Sequence, residues 1–241
     1  GSQLEGVPVL VGKDRYRTGM LAIETFGTTV LIMDDGFQHL PLRRDLDLLL
    51  VDSVRPFGNG HCLPRGTLRE PPGQVRRASA FILTRWMETE KSDRWVGELT
   101  ADARGRPVFR CRHVPDSLLI AGGREAVGLD DLKGRRVFVF SGIVRNDSFL
   151  ETVLSLDAEV VGSSEFGDHH RYTDVDLRLI WDKATRSNAE SIITTEKDYT
   201  NISTGVPSIP ELLVLGISIS FGEDKEAFEN YLKDSLTRLT G

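Results

Sequence analysis

The chain has 241 residues, of which 39% are hydrophobic and 27% charged, and a formal net charge of -6; that leaves room for one large domain or two moderate ones, each with its own core. A net negative chain is a poor general nucleic-acid binder, because phosphate neutralisation needs a surplus of Lys and Arg, so no nucleic-acid partner is expected. Two cysteines, Cys62 and Cys111, are too few for a disulfide framework or a thiolate metal site, and no apolar stretch approaches the ~20 residues a membrane helix needs, so the chain is expected to be soluble.

In chain order, Val7 to Gly12 has the apolar character of a short buried strand and Gly19 to Glu24 that of a helix. Thr28 to Met33 is a second strand-like run, and it delivers Asp34-Asp35-Gly36-Phe37-Gln38-His39 at its end. Asp47 to Asp52 is a third. From Arg55 to Pro72, glycines and prolines rule out a regular element and predict a long, functional loop. Ala78 to Thr84 is a fourth strand. Strands alternating with short connections fit a βαβ-type parallel sheet. Val108 to His113 and Ser117 to Ala121 read as crossing ribbons about Pro115, and a boundary near His113 divides the chain into 1–112 and 113–241. Beyond it, strands are predicted over Arg136 to Phe140, Glu159 to Gly162, Ser191 to Thr195 and Leu212 to Phe221. Helices are predicted from about Asn146 to Leu156, from an N-cap at Thr173 to Lys183, and from Lys225 to Leu239.

Four constellations carry chemistry, and each has a plain structural alternative. The Asp34-Asp35 pair supplies oxygen ligands for Mg²⁺, or else caps a turn. In Asp168-His169-His170-Arg171-Tyr172, a carboxylate beside an imidazole suits a proton acceptor; alternatively one ring satisfies a backbone carbonyl and the other faces water. Arg69 has the geometry for a phosphate and Glu70 the chemistry for a metal shell, against a salt bridge within the loop. Thr194-Thr195-Glu196-Lys197-Asp198 gathers hydroxyls, acids and an amine at a strand end, or is a strand exit with a surface ion pair. Between Arg43 and Arg77 seven arginines stand against four acids, which suits an anionic small ligand or a solvated face. Neither a G-x-x-x-x-G-K-[ST] loop nor a G-x-G-x-x-G motif is present.

Taken together and in order, DDGFQH at 34–39, RPFGNG at 55–60, LREP at 68–71, DHHRYT at 168–173 and TTEKD at 194–198 resemble the tetraacyldisaccharide 4'-kinase family, the lipid A 4'-kinases of Gram-negative bacteria. The resemblance implies an α/β fold: a P-loop-kinase-like, mostly parallel sheet, incomplete in this chain, over 1–112, and a second, smaller α/β domain over 113–241, joined by a β-ribbon hinge. It implies ATP and Mg²⁺ as cofactors and transfer of the γ-phosphoryl group to the 4'-hydroxyl of a lipid A disaccharide 1-phosphate precursor. It also implies a parent protein at the cytoplasmic face of the inner membrane, reached through an N-terminal segment. Carried over by motif, Asp34, Asp35 and Glu70 attend the metal, and Asp34, Arg69 and Gln38 the nucleotide. Asp35 and His169, with His170 second to it, are catalytic. Arg15, His39 and Asn59 face the substrate, Arg15 toward its 1-phosphate.

In the family's pattern the phosphate loop, an anchoring helix and an Asp-Glu-Pro segment with a catalytic Asp lie ahead of residue 1. The expectation is therefore an N-terminally truncated kinase that binds ATP weakly and does not turn over by itself. Ser141-Gly142-Ile143-Val144-Arg145-Asn146 also stands where the family carries Gly-Ile-Gly-Asn-Pro. Two other readings of the residues are a metal-dependent phosphohydrolase and a non-catalytic fragment that binds anionic lipid.

Overall fold

The computed structural model describes residues 6–87, 97, 105–122, 126–143, 145–202 and 210–240. Val144, in the expected turn after the first strand of the second domain, lies outside them. By its contacts the chain divides into two compact units, Gly1–Cys111 with Phe221–Gly241, and Arg112–Ser220.

In the first unit, helix α1 (Arg15–Phe26) extends the predicted segment at both ends. Asp14 caps it by accepting from the Arg17 backbone N–H at 3.1 Å, and Gly27 ends it at φ 62, donating to the Ile23 carbonyl. Three strands follow, β1 (Leu48–Asp52), β2 (Ala80–Thr84) and β3 (Val108–Arg110), all parallel in the order β1-β2-β3. Val51, Val75, Ala78, Phe81 and Leu83 form its core, with Phe37, Phe57 and Trp86 packed against them.

Two predicted strands are absent from this sheet. Val7 to Gly12 and Thr28 to Met33 have no ladder partner among the described residues, and Val11 and Ile32 are 93% and 94% exposed. An apolar run of strand length is competent for a sheet, but it becomes a strand only where a neighbour accepts its N–H and C=O groups. Asp34 and Asp35 therefore leave an irregular segment rather than a strand.

The second unit holds a six-stranded sheet, β5-β4-β9-β8-β6-β7. Its strands are β4 (Arg112–Ile120), β5 (Ala126–Val127), β6 (Arg136–Ser141), β7 (Glu159–Glu165), β8 (Ser191–Thr195) and β9 (Glu211–Ser220). The four from β7 to β9 are parallel, and β4 runs antiparallel to β9 with a bulge between Pro115 and Ser117. The two predicted ribbons about Pro115 are thus mostly one bulged strand. Period-two alternation fills both faces. Val137 and Val139 join Phe149 and Val153 of α2 (Asn146–Leu154); Phe138 and Phe140 join Leu177, Ile180 and Trp181 of α3 (Asp174–Arg186). A short α4 (Glu196–Thr200) leaves the end of β8. The chain passes between units at residues 111–112 and 220–221, and Arg112 and Ser220 are paired at that end of the β4–β9 ribbon.

The expected domain span of 113–241 needs one correction, because the last helix, α5 (Lys225–Thr240), belongs to the first unit. Phe228 lies edge-on to Phe109 at 5.1 Å and stacks on Phe221 at 4.2 Å, and the Tyr231 hydroxyl donates to the Ser79 carbonyl. Asp224 accepts from the Arg110 backbone N–H at 2.7 Å and from its guanidinium at 2.8 and 2.9 Å. Chain order cannot reveal such a return to an earlier unit. No helix among the described residues is long and apolar enough to cross a membrane.

The Arg110 guanidinium holds the Asp224 carboxyl below the usual carboxylate range, against the opposing effect of burial. A depressed carboxylate contributes stability at neutral pH that is lost as pH falls through its folded pKa. Asp224→Asn is expected to cost about 1 kcal/mol at pH 7 and almost nothing in strong acid, measured as the urea midpoint across pH 2 to 7.

Candidate functional site

In the first unit the turn at 34–39 is built by arginines from outside it. The His39 backbone N–H donates to Gly36 O at 3.0 Å, and Asp35 sits at φ 49, a left-handed conformation that Asp tolerates better than most residues. Arg44 bonds the carbonyls of His39 and Leu42 at 2.6 and 3.0 Å while its Nε holds Asp47 at 2.6 Å. Arg77 lies over the Phe37 ring at 4.5 Å and donates to the Phe37 carbonyl at 3.2 Å. Both arginines are partly buried, so the turn is fixed from behind. Sequence reasoning counted them only as charge.

Two expected ligand-binding residues meet directly, across 34 positions. Arg69 Nη1 donates to both Asp35 oxygens, at 2.9 and 2.7 Å, with both side chains largely exposed. Glu70 instead pairs with Arg77 at 2.7 Å, partly buried. Neither pair is the salt bridge within the loop that stood as the alternative: Arg69 reaches back to the turn at 34–39 and Glu70 forward to Arg77. Asn59 is engaged within its own loop, donating to Arg65 O and accepting from the His61 N–H. Gly66 is obligatory there, since a Cβ would fall 2.1 Å from Asn59 Oδ1. Arg15 opens α1 and makes no ion pair among the described residues.

Mg²⁺ is commonly held through one or two carboxylates, with waters and phosphate oxygens completing its shell. Asp34 and Asp35 fit that donor chemistry. Glu70 fits it only by leaving Arg77. Among the described residues, no three His, Cys, Asp or Glu side chains gather as a ready-made cage.

In the second unit the site lies beyond the carboxyl ends of parallel strands, where open α/β sheets place ligands. The loop from Phe166 to Thr173 joins β7 to α3, and its two histidines have opposite surroundings. His170 stacks on Phe166 at 4.6 Å, meets Tyr172 edge-on at 4.9 Å, and sets Nε2 3.2 Å from Asp176 Oδ2. His169 stands at φ 58 with its side chain 75% exposed, against 31% for His170. Its Nε2 lies 3.5 Å from Asp168 Oδ2, while Asp168 Oδ1 accepts from Lys197 Nζ at 2.7 Å.

Asp198, fully buried, ties this loop to the sheet. Its Oδ1 accepts from the Gly142 N–H at 3.0 Å and the Tyr172 hydroxyl at 3.1 Å, and its Oδ2 from the Thr195 hydroxyl at 2.7 Å. Burial, with the Asp198 carboxyl against it, pushes the Tyr172 hydroxyl far up, so it stays a donor. Asp176 forms a reciprocal cap with Thr173, whose backbone N–H and then hydroxyl hold its carboxyl below the usual range. The hydrogen bond from Lys197 does the same to Asp168. The sequence marks Tyr172 and Asp198 only as members of the 168–172 and 194–198 motifs, with no role of their own, and does not mark Asp176. The Thr-x-x-Asp spacing at 173–176 and 195–198 is the signal that marks two of them.

At Gly142 a Cβ would lie 3.0 Å from Asp198 Oδ1, 3.0 Å from Gly167 O and 3.1 Å from the Tyr172 hydroxyl. Gly142→Ala is expected to destabilise the chain by about 1–3 kcal/mol through overpacking, read as a lower urea midpoint. The ring-shifted NMR signals of His170 should move with it.

Comparison with known proteins places residues 2–237 within the family model of tetraacyldisaccharide-1-P 4'-kinase. The chain is 42% identical over 242 residues to the tetraacyldisaccharide 4'-kinase of Desulfatibacillum aliphaticivorans, covering 97% of this chain and 64% of that protein. It is 45% identical over 201 residues to that of Syntrophus aciditrophicus, covering 80% and 54%. A crystal structure of LpxK from Aquifex aeolicus in complex with ATP matches with a TM-score of 0.65 at 29% identity, covering 95% of this chain and 63% of that one. The chain thus spans between about half and two thirds of the length of these relatives.

Proposed function

The chain belongs to the tetraacyldisaccharide-1-P 4'-kinase family, and from that premise we propose that the protein transfers the γ-phosphoryl group of ATP to the 4'-hydroxyl of a lipid A disaccharide 1-phosphate precursor. The reading is supported by the match over residues 2–237, which contains both the turn at 34–39 and the Asp168-His169-His170 loop. Its site of action in this proposal is the cytoplasmic face of the inner membrane, where such a lipid is presented.

Asp34 and Asp35 would hold Mg²⁺, which supplies neutralisation of charge on the nucleotide phosphates. Arg69 is already poised on Asp35, and an exposed ion pair contributes little and exchanges readily. In this proposal its guanidinium turns from Asp35 to a phosphate oxygen when nucleotide binds, and Gln38 lies beside the same group. Arg15 contacts the substrate's 1-phosphate, with His39 and Asn59 on the substrate side.

The opposite fate of the two imidazoles carries the assignment of the base. His170 is locked by Phe166, Tyr172 and Asp176, whereas His169 is exposed and backed by a carboxylate. His169 accepts the proton of the attacking hydroxyl, and ADP leaves; His170 holds the loop. Nothing in the comparisons favours a phosphohydrolase or a non-catalytic lipid binder.

The test is phosphoryl transfer from ATP to the tetraacyldisaccharide 1-phosphate by the intact gene product. His169→Ala is expected to lower kcat by roughly 10²- to 10⁴-fold, the usual contribution of a positioned base. His170→Ala should act chiefly on stability, and Asp35→Asn should raise the Mg²⁺ concentration needed for half-maximal rate. Wild-type turnover in His169→Ala would refute the assignment.

A further inference from the structure

We propose that Lys197 is a positioning residue for His169 and acts through Asp168. The inference deepens the preceding section and rests on its reading of His169 as the proton acceptor. One carboxylate bridges two elements: Asp168 Oδ1 takes a hydrogen bond from Lys197 Nζ on α4 at 2.7 Å, and Oδ2 lies 3.5 Å from His169 Nε2 on the loop. Asp168 thereby stands against the ring of the residue after it, whose backbone is left-handed at φ 58.

The clamp has a rigid base. Lys197 stands one residue before the buried Asp198, whose carboxyl accepts from Gly142 at the end of β6 and from Tyr172 in the loop's own C-terminal part. Both ends of the Lys197–Asp168 bond are thus referenced to the same buried group. His170 is engaged by Asp176 and not by Asp168, so the ammonium is the cation that fixes the outer carboxylate. With one oxygen held by Lys197, the other stays against the His169 ring and keeps it in place. Without Lys197, Asp168 turns freely into solvent and the ring loses its backing.

Two measurements test this. In the intact gene product, kcat and KM for the disaccharide are compared in wild type, Lys197→Met, Lys197→Arg, His169→Ala and the double variant Lys197→Met/His169→Ala. Lys197→Met should lower kcat roughly tenfold with KM within about twofold, and Lys197→Arg should restore most of the loss. The double variant should be no slower than His169→Ala, because residues that act as a unit are not additive. Losses that multiply would place Lys197 on the substrate or nucleotide directly and overturn this inference alone. A wild-type rate in His169→Ala would overturn the function reading and this inference with it.

In the same intact gene product, the Asp168 carboxyl is titrated by ¹³C NMR. Lys197→Met, or Lys197→Gln should the first variant fold poorly, should raise its midpoint toward the ordinary carboxylate range, with the His170 signals unmoved. An unchanged Asp168 midpoint would show that no clamp exists.

Discussion

The buried carboxyl of Asp198 is the constraint on which the second unit's site depends. A carboxyl removed from water must find donors, and leaving one unsatisfied costs about 1–3 kcal/mol or more. Asp198 finds a backbone N–H at the end of β6, a tyrosine hydroxyl in the loop after β7 and a threonine hydroxyl at the end of β8. Those donors come from three chain segments, so meeting the demand of one side chain fixes the mutual placement of two strand ends and a loop. The histidines inherit their positions from that. Tyr172, held by its hydroxyl, offers His170 a ring edge, and His170 in turn leaves His169 as the exposed neighbour.

The first unit solves the same problem by other means. Among the described residues no buried carboxyl organises the turn at 34–39; two partly buried arginines do, by donating to its carbonyls while their charges are balanced by Asp47 and Glu70. Arginine suits the task because its planar fork serves a carboxylate and a carbonyl at once. The result is a graded set of ion pairs. Those that hold the backbone are sheltered, and the Asp35–Arg69 pair at the front is exposed and exchangeable. The rigid pairs maintain shape, and the labile one is available to a ligand.

Much of this was legible in the sequence. The apolar runs at Leu48–Asp52, Ala80–Thr84, Arg136–Ser141 and Ser191–Thr195 became strands near their predicted bounds; the last three are almost wholly buried, and a strand of that kind advertises itself by composition. Thr173 capped its helix as its spacing required. The runs at Val7 to Gly12 and Thr28 to Met33 had the same composition and became no strand, because a ladder is a property of two segments and composition a property of one. The terminal helix was found but assigned to the wrong unit, since its partner Phe109 lies more than a hundred residues earlier.

The candidate site divides along the same line. The sequence by itself determined the chemical inventory: paired carboxylates, two adjacent imidazoles, an arginine and a glutamate at the end of a glycine-rich loop, and the ordered motifs that mark the family. Residue type and local spacing are sufficient for that. Only the tertiary structure decided which groups are engaged and which are available. Arg69 meets Asp35, Glu70 turns to Arg77, His170 is enclosed, and Lys197 reaches Asp168 across 29 positions. Those outcomes depend on distances between segments remote in the chain, and on which carboxyl the fold excludes from water.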